Sequence, residues 1–442
     1  MTKQLLVVLA LTGLGTVGIF VFTPLCGVIA YYVLGILRPQ ELWDYAMPPG
    51  ISWSFYVGIA TLVAGLLAAF SALPDRRPPA PARPLFGRGH YLMFLFGVWI
   101  FVTYLLARNQ EVAYKWSMEY LKLILIFAAS AVIIKSVYEI RTLMICAVMT
   151  LAYLCIEYNL DYLKTGYLRI YNRGHGGMDN NGAGLMLAMA IPLLYFTFEA
   201  LTSRWRWLFL LVIPAALHAV QMSYSRGAML SLIVILPLVV WRSRHRQWLL
   251  LGLLLLGPPL IYVTAGKQIQ ERFFSIATAE ELDDSARMRF MSWNAAIKIA
   301  SEHPIVGVGV RNSNLISYQY GADREGRTIH STYLQIAADN GFVGLGIYLL
   351  MLLTVWREIR SVRLATRGLD DPESRLYYSL AAGVETAMAA FCFGSLFLSL
   401  EIFELPYMLL LCGSQLALLY AHRLGPIVDP LGYLNQHPQQ TA

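Results

Sequence analysis

The sequence predicts an all-α, polytopic membrane helix bundle of about twelve transmembrane helices, with one large helical loop facing water. Three observations predict it. Apolar residues make up 57% of the 442-residue chain while Lys, Arg, Asp and Glu make up 14%, against roughly 25% in ordinary soluble domains. The apolar residues gather into windows long enough to cross roughly 30 Å of hydrocarbon as helix. The charges gather as well. Residues 266–332 carry eight basic residues (Lys267, Arg272, Arg287, Arg289, Lys298, Arg311, Arg324, Arg327) and eight acidic ones (Glu271, Glu280, Glu281, Asp283, Asp284, Glu302, Asp323, Glu325). This pattern excludes a soluble enzyme built around one core.

Along the chain the windows lie near residues 5–37, 51–72, 91–107, 119–135, 141–158, 183–199, 206–222, 228–241, 247–264, 333–356, 376–399 and 403–421. The chain therefore divides into nine spans over 1–265, a loop over 266–332, three spans over 333–422 and a tail over 423–442. The first window is too long for one straight span and contains Thr23-Pro24, so a kinked or broken helix is expected. A complete hairpin there would raise the count from twelve to thirteen. Lys3 ahead of an apolar stretch resembles a signal peptide, but no small-residue cleavage site precedes a soluble domain, and a retained first span is expected. Cys26, Cys146, Cys155, Cys392 and Cys412 sit in apolar runs without Cys-x-x-Cys spacing and read as packing residues.

Orientation follows from Lys and Arg in short loops, which stay on the cytoplasmic side. One alternating set of connections holds Arg76, Arg77, Arg83 and Arg88, then Lys135 and Arg141, Arg204 and Arg206, and Arg242, Arg244 and Arg246. It ends with Arg357, Arg360, Arg363, Arg367 and Arg375, whereas the opposite set has single residues such as Arg38 and Arg226 in its shortest loops. The polar insertion is thus expected outside and the C-terminus in the cytoplasm. The N-terminus is expected there too if the first window crosses once. Pro74 to Pro84 reads as a cytoplasmic linker. The net charge of +7 belongs chiefly to the topology-setting loops and calls for no nucleic-acid partner.

Three helices, beginning near residues 183, 228 and 333, run from outside to inside, so their N-termini face one surface. Helix N-termini present free N–H groups and partial positive charge, which together favour an anion. Asn180-Asn181-Gly182 precedes the first, Arg226 the second and His330-Ser331-Thr332 the third. An arginine at such a break can simply snorkel to headgroups, but Arg226 lies on the side the topology rule leaves poor in cations. Nearby arginines and the helix dipole are expected to keep His330 neutral, the form able to accept a proton.

Within the insertion, Ala286, Phe290, Trp293, Ile297 and Ala300 recur at spacings of 4, 3, 4 and 3, one apolar stripe of a helix lying on the bilayer or the bundle. Asp283, Asp284 and Ser285 are N-cap candidates, and His303-Pro304 marks the end. Arg289 falls one turn before Trp293, on the flank of the stripe, where it can turn toward the bundle mouth. Arg287 points elsewhere and reads as a phosphate or headgroup contact. Asp283-Asp284 lacks a partner at metal-ligand spacing, and no P-loop, Gly-x-Ser-x-Gly, His-Glu-x-x-His or dinucleotide fingerprint occurs.

Together these motifs resemble a known family. Arg226-Gly227-Ala228-Met229-Leu230 matches the Arg-x3-Leu motif of O-antigen ligases. His330-Ser331, nine residues, then Gly341-Phe342-Val343-Gly344 matches their His-[Asn/Ser/Gln]-x9-Gly-x-x-Gly motif. Arg289-Phe290-Met291-Ser292-Trp293, followed by His303-Pro304-Ile305-Val306-Gly307-Val308-Gly309 and Asn312, resembles the wider ligase and polymerase signature, the set covering residues 223–344. Ser331 replaces the commoner Asn, and Arg311 stands where a small residue is frequent.

The resemblance implies a GT-C-like membrane transferase that moves a glycan from undecaprenyl diphosphate to a sugar hydroxyl of the lipid A core, on the periplasmic face of a bacterial inner membrane. It implies His330 as general base and Arg226 and Arg289 as the grip on the diphosphate, in place of a metal ion and with no cofactor. Asn180, Arg287, Arg311 and Asn312 are then the candidate substrate-binding residues. An O-antigen polymerase and a protein O-oligosaccharyltransferase share the superfamily. A transporter of lipid-linked sugars would instead carry charges along a pathway through its spans, where Glu385 is the clearest exception here.

Overall fold

The computed structural model describes residues 2–70, 84–264 and 284–424. The expected linker before Pro84, the charges at 267–283 with the Asp283 cap, and the tail beyond 424 lie outside them. The long helices are α1 Lys3–Thr16, α2 Leu25–Leu37, α3 Trp53–Ala69, α4 Arg88–Leu105, α5 Gln110–Ile133, α6 Val137–Thr165 and α7 Asn180–Ala200. They continue with α8 Trp207–Met222, α9 Arg226–Arg242, α10 Arg246–Thr264, α11 Asp284–Glu302, α12 Thr332–Ala365, α13 Pro372–Gly394 and α14 Glu404–Arg423. The described residues form no strand, only an isolated bridge between His175 and Met178. Eight of the helices (α4 to α7, α12 to α14, and α8 with the 3-10 turn before it) are long and apolar enough to cross a membrane. The protein is a polytopic helical membrane protein.

Every apolar window holds helix, and caps rather than hydropathy set many of the ends. Asn109, Ser136, Asp179, Ser225, Ser331 and Asp371 each accept a backbone N–H from the first turn of the helix that follows, each worth about 1 kcal/mol. α7 and α13 form the centre. They pack on each other, and 89% of the most apolar stretch of each is buried, as expected of helices apolar all round.

The first window is not one kinked crossing but a hairpin. The chain turns back at Thr23-Pro24 so that α1 packs on α2. Gly15 lies against Ala30 and Gly18 against Cys26, positions where a Cβ would stand 2.5 and 3.3 Å from those side chains. Gln4 Nε2 donates to the Tyr45 hydroxyl at 3.0 Å. The start of α1 and the end of α2 therefore share one end of the bundle.

One carboxylate inside the bundle is held by two cations. Glu385 of α13 pairs with Arg242 at the end of α9 at 3.0 Å and with Arg363 of α12. The Arg242 guanidinium also donates to Thr386 at 2.8 Å and faces the Trp356 ring. Such a triad reads as a lock between helix ends, not as a transport pathway.

In the insertion, α11 lies on α12. Its buried face is Ser292, Ala295, Ala296, Ile299 and Ala300, whereas Phe290 and Ile297 are 47% and 48% exposed. This corrects the expected stripe. Small side chains let α11 approach α12 closely, so bulk does not mark the inward face. Half-buried Arg289 is one turn before Ser292 and thus on that inward face. Inside α12, Gly341 has φ 73° and ψ 177° and breaks the helix. A Cβ there would stand 2.0 Å from the Ile305 carbonyl oxygen, so the Gly341 break seats the 303–311 loop.

Candidate functional site

Three helix starts converge on the loop 395–403 between α13 and α14. The Thr332 amide at the start of α12 donates to the carbonyls of Ser395 and Leu398 at 2.9 and 2.8 Å. Its hydroxyl donates to Leu398 at 2.7 Å and accepts the Leu400 amide at 3.0 Å. Gly227 in the first turn of α9 faces Phe397 and Leu398, and Gly182 in the first turn of α7 faces Leu400. Asn180 Nδ2 ties α7 to the turn before α9 by donating to the Ser223 carbonyl at 2.8 Å. The N-terminal turns and partial positive charge of three helices thus lie at one patch, a setting that favours an anion.

His330 stands two residues ahead of α12, half-buried. The Trp293 indole of α11 donates to its carbonyl at 3.3 Å, and the Trp293 ring packs against Phe397. Burial above all, then the Arg289 guanidinium, pushes the imidazole down to about 4, with Asp179 opposing and Arg327 adding to the shift. The ring is neutral near pH 7 and able to take a proton. Neutrality was expected from arginines and the helix dipole; burial is the larger cause.

Backbone strain concentrates at the same end. Among the described residues, the non-glycine positions with left-handed φ are Arg38, Tyr224, Arg311 and His330, at 46° to 59°. Each stands one or two residues before a helix. Such conformations cost of order 1–3 kcal/mol each and persist where surroundings fix them, often at functional sites.

Of the expected residues, the structure gathers Asn180, Arg226, Arg289 and His330 around this patch. Arg226 is the first residue of α9, half-buried behind the Ser225 cap. Arg287 is exposed on α11, away from the inward face. Arg311 and Asn312 are placed differently. The Arg311 guanidinium pairs with buried Glu401 at 2.6 Å and lies over the Trp116 ring, while its amide donates to Asp339 at 2.8 Å. Asn312 is 1% exposed, accepts the Asn109 amide at 2.6 Å and donates to the Asn109 and Val310 carbonyls. Both fasten the 303–316 segment to its neighbours. Sequence reasoning passed over Asp179, the cap of α7 and a carboxylate that acts on His330; its only signal was an acid just ahead of Asn180.

A second histidine at this end, His175, is already bonded on both nitrogens. Nδ1 accepts from the Tyr158 hydroxyl at 2.6 Å, and Nε2 donates to the Ile36 carbonyl at 2.8 Å. His175 is a structural latch.

Residues 215–349 match the family model described as O-antigen ligase. No curated protein matches the chain. The matched segment begins inside α8, ends beyond the break in α12 and holds Arg226, Arg289 and His330. Over residues 215–349, this polytopic helical membrane protein is thus similar to the O-antigen ligases.

Proposed function

We propose that the protein is a glycosyltransferase that moves a glycan from undecaprenyl diphosphate to a hydroxyl of the lipid A core on the periplasmic face of the inner membrane, completing lipopolysaccharide. The observation that carries this reading is a neutral, half-buried His330 set beside Arg289 where three helix N-termini meet, within the O-antigen ligase segment. The acceptor oxygen bonds to the anomeric carbon as the bond from that carbon to the diphosphate breaks. The electron pair leaves with polyprenyl diphosphate, the acceptor proton passes to His330, and the anomeric centre inverts.

Arg226 and Arg289 hold the leaving diphosphate through bidentate, charge-assisted bonds, assisted by the helix N-termini. Asn180 and Arg287 contact substrate at the rim. Arg311 and Asn312 act at one remove, by holding the loop that follows α11. The cationic loops at the other end of the bundle, from Arg88 to Arg375, support an outward-facing site.

Complementation tests the reading. A ligase-deficient Gram-negative strain of matching core type is expected to regain long-chain lipopolysaccharide with the wild-type chain. His330→Ala is expected to lose about a hundredfold to ten-thousandfold in transfer rate and to fail in the strain. Full restoration by that variant would overturn the role of His330. Lengthening of lipid-linked glycan without any core acceptor would assign a polymerase instead.

A further inference from the structure

We propose that a cavity on the other side of the 395–403 loop binds a zwitterionic phospholipid, with a phosphoethanolamine headgroup at its polar end and an acyl chain below. The inference stands apart from the transfer reading and does not depend on it. The cavity, of about 210 Å³, lies between α2, α3, α5 and α14. Along α3 it runs from Ser52 to Leu62, about 15 Å at 1.5 Å per residue.

Its lining is divided. At one end stand two ion pairs, Arg38 with Glu404 at 2.7 Å and Lys122 with Glu119 at 2.7 Å. Beyond them Ile59, Leu62 and Leu125 continue the wall, and Ile59 and Leu125 are exposed at the bundle surface, where hydrocarbon would surround them. Polar at one end and open to lipid along its length, the cavity has the polarity of a single phospholipid.

The charges choose among lipids. Two cations and two carboxylates make the charged lining neutral, so an anionic headgroup meets Glu119 and Glu404 as well as the cations. A phosphoethanolamine headgroup pairs with both signs, its phosphate on Lys122 and its ammonium on Glu119. The Lys122–Glu119 pair is half-exposed and free to open toward such a partner. The Arg38–Glu404 pair is deeper and fixed, since both Glu404 oxygens accept from Arg38 Nη2 at 2.7 and 2.8 Å. Ile402, Phe403 and Glu404 form one wall and end the loop whose beginning holds Thr332. A lipid seated here braces that loop.

The test uses the full-length protein, stripped of lipid in detergent and offered equal phosphatidylethanolamine and phosphatidylglycerol with matched acyl chains. Bound lipid is counted by native mass spectrometry. Wild type is expected to retain phosphatidylethanolamine about five-fold over phosphatidylglycerol, the scale of one exposed ion pair. Glu119→Gln gives the lining one net positive charge and is expected to shift the ratio toward phosphatidylglycerol, while Lys122→Gln shifts it away. Equal retention by wild type, or a ratio that neither substitution moves, would overturn the proposal. Both side chains are half-exposed, so unchanged melting profiles confirm that the fold is not what changed.

Discussion

At the scale of single residues, His330 combines two costs. Its backbone is left-handed, and its ring is buried enough to disfavour the charged form. The second cost has a measurable sign. With the pKa pushed down to about 4, the ring is neutral across the neutral range, and the acid limb of kcat/KM is expected near there, well below the usual 6.5 of histidine. Arg327 is one cause of the lowering and takes no part in the proposed chemistry, so Arg327→Gln is expected to move the limb upward. A limb at 6.5 in wild type, or a downward move in the variant, would refute the assignment. Stability follows the same linkage. A group protonated more readily when unfolded contributes fully above about 6.5, and that contribution is lost as pH falls toward the folded value.

At the scale of elements, the break in α12 decides where the 303–311 loop sits. Val308 and Gly309 donate their amides to the Ala338 and Asp339 carbonyls, and Phe342 donates to Pro304, so the loop and the interrupted helix complete each other's hydrogen bonds. Gly341→Ala places a side chain against the Ile305 carbonyl in a left-handed conformation. It is expected to cost more than about 2 kcal/mol, read as a lower Tm, with transfer falling too. Gly346→Ala is the control, since nothing lies within 4 Å of its added Cβ, and it is expected to be neutral or to stabilise by up to about 1 kcal/mol.

These elements show what a sequence discloses. Asn180, Arg226 and His330 were legible because each stands at a helix start or within two residues of one, a local relation. The partners of Arg311 and Asn312 were not, because Glu401 and Asn109 are distant in sequence and nothing local marks them. The inward face of α11 was misread because Phe290 and Ile297 supply the bulk while Ser292 and Ala296 make the close approach. Asp179 was hidden by its ordinary role as a cap.

At the scale of the molecule, the spans were visible in hydropathy alone, but the turn at Thr23-Pro24 lies in an unbroken apolar run and left hairpin and kink indistinguishable. The hairpin has a topological outcome. The start of α1 lies with Tyr45 at the end of the bundle that carries His330, and α14 ends at the other, where Arg423 pairs with Asp371. Reporter fusions are expected to place the N- and C-termini on opposite sides of the membrane. Reporters active on the same side would show that the hairpin does not form in the bilayer.

The 395–403 loop also limits what can be transplanted. It lies beyond residue 349, outside the segment that carries the family match, yet it supplies every partner of the Thr332 hydroxyl and amide and the carboxylate that holds Arg311. A chimaera that exchanged residues 215–349 alone between two such proteins would seat one protein's histidine on another's anchor. Donor and acceptor preferences would then change together with the alignment of the base, and the two effects could not be told apart. An exchange meant to read specificity should carry the α13–α14 loop along with the segment it anchors.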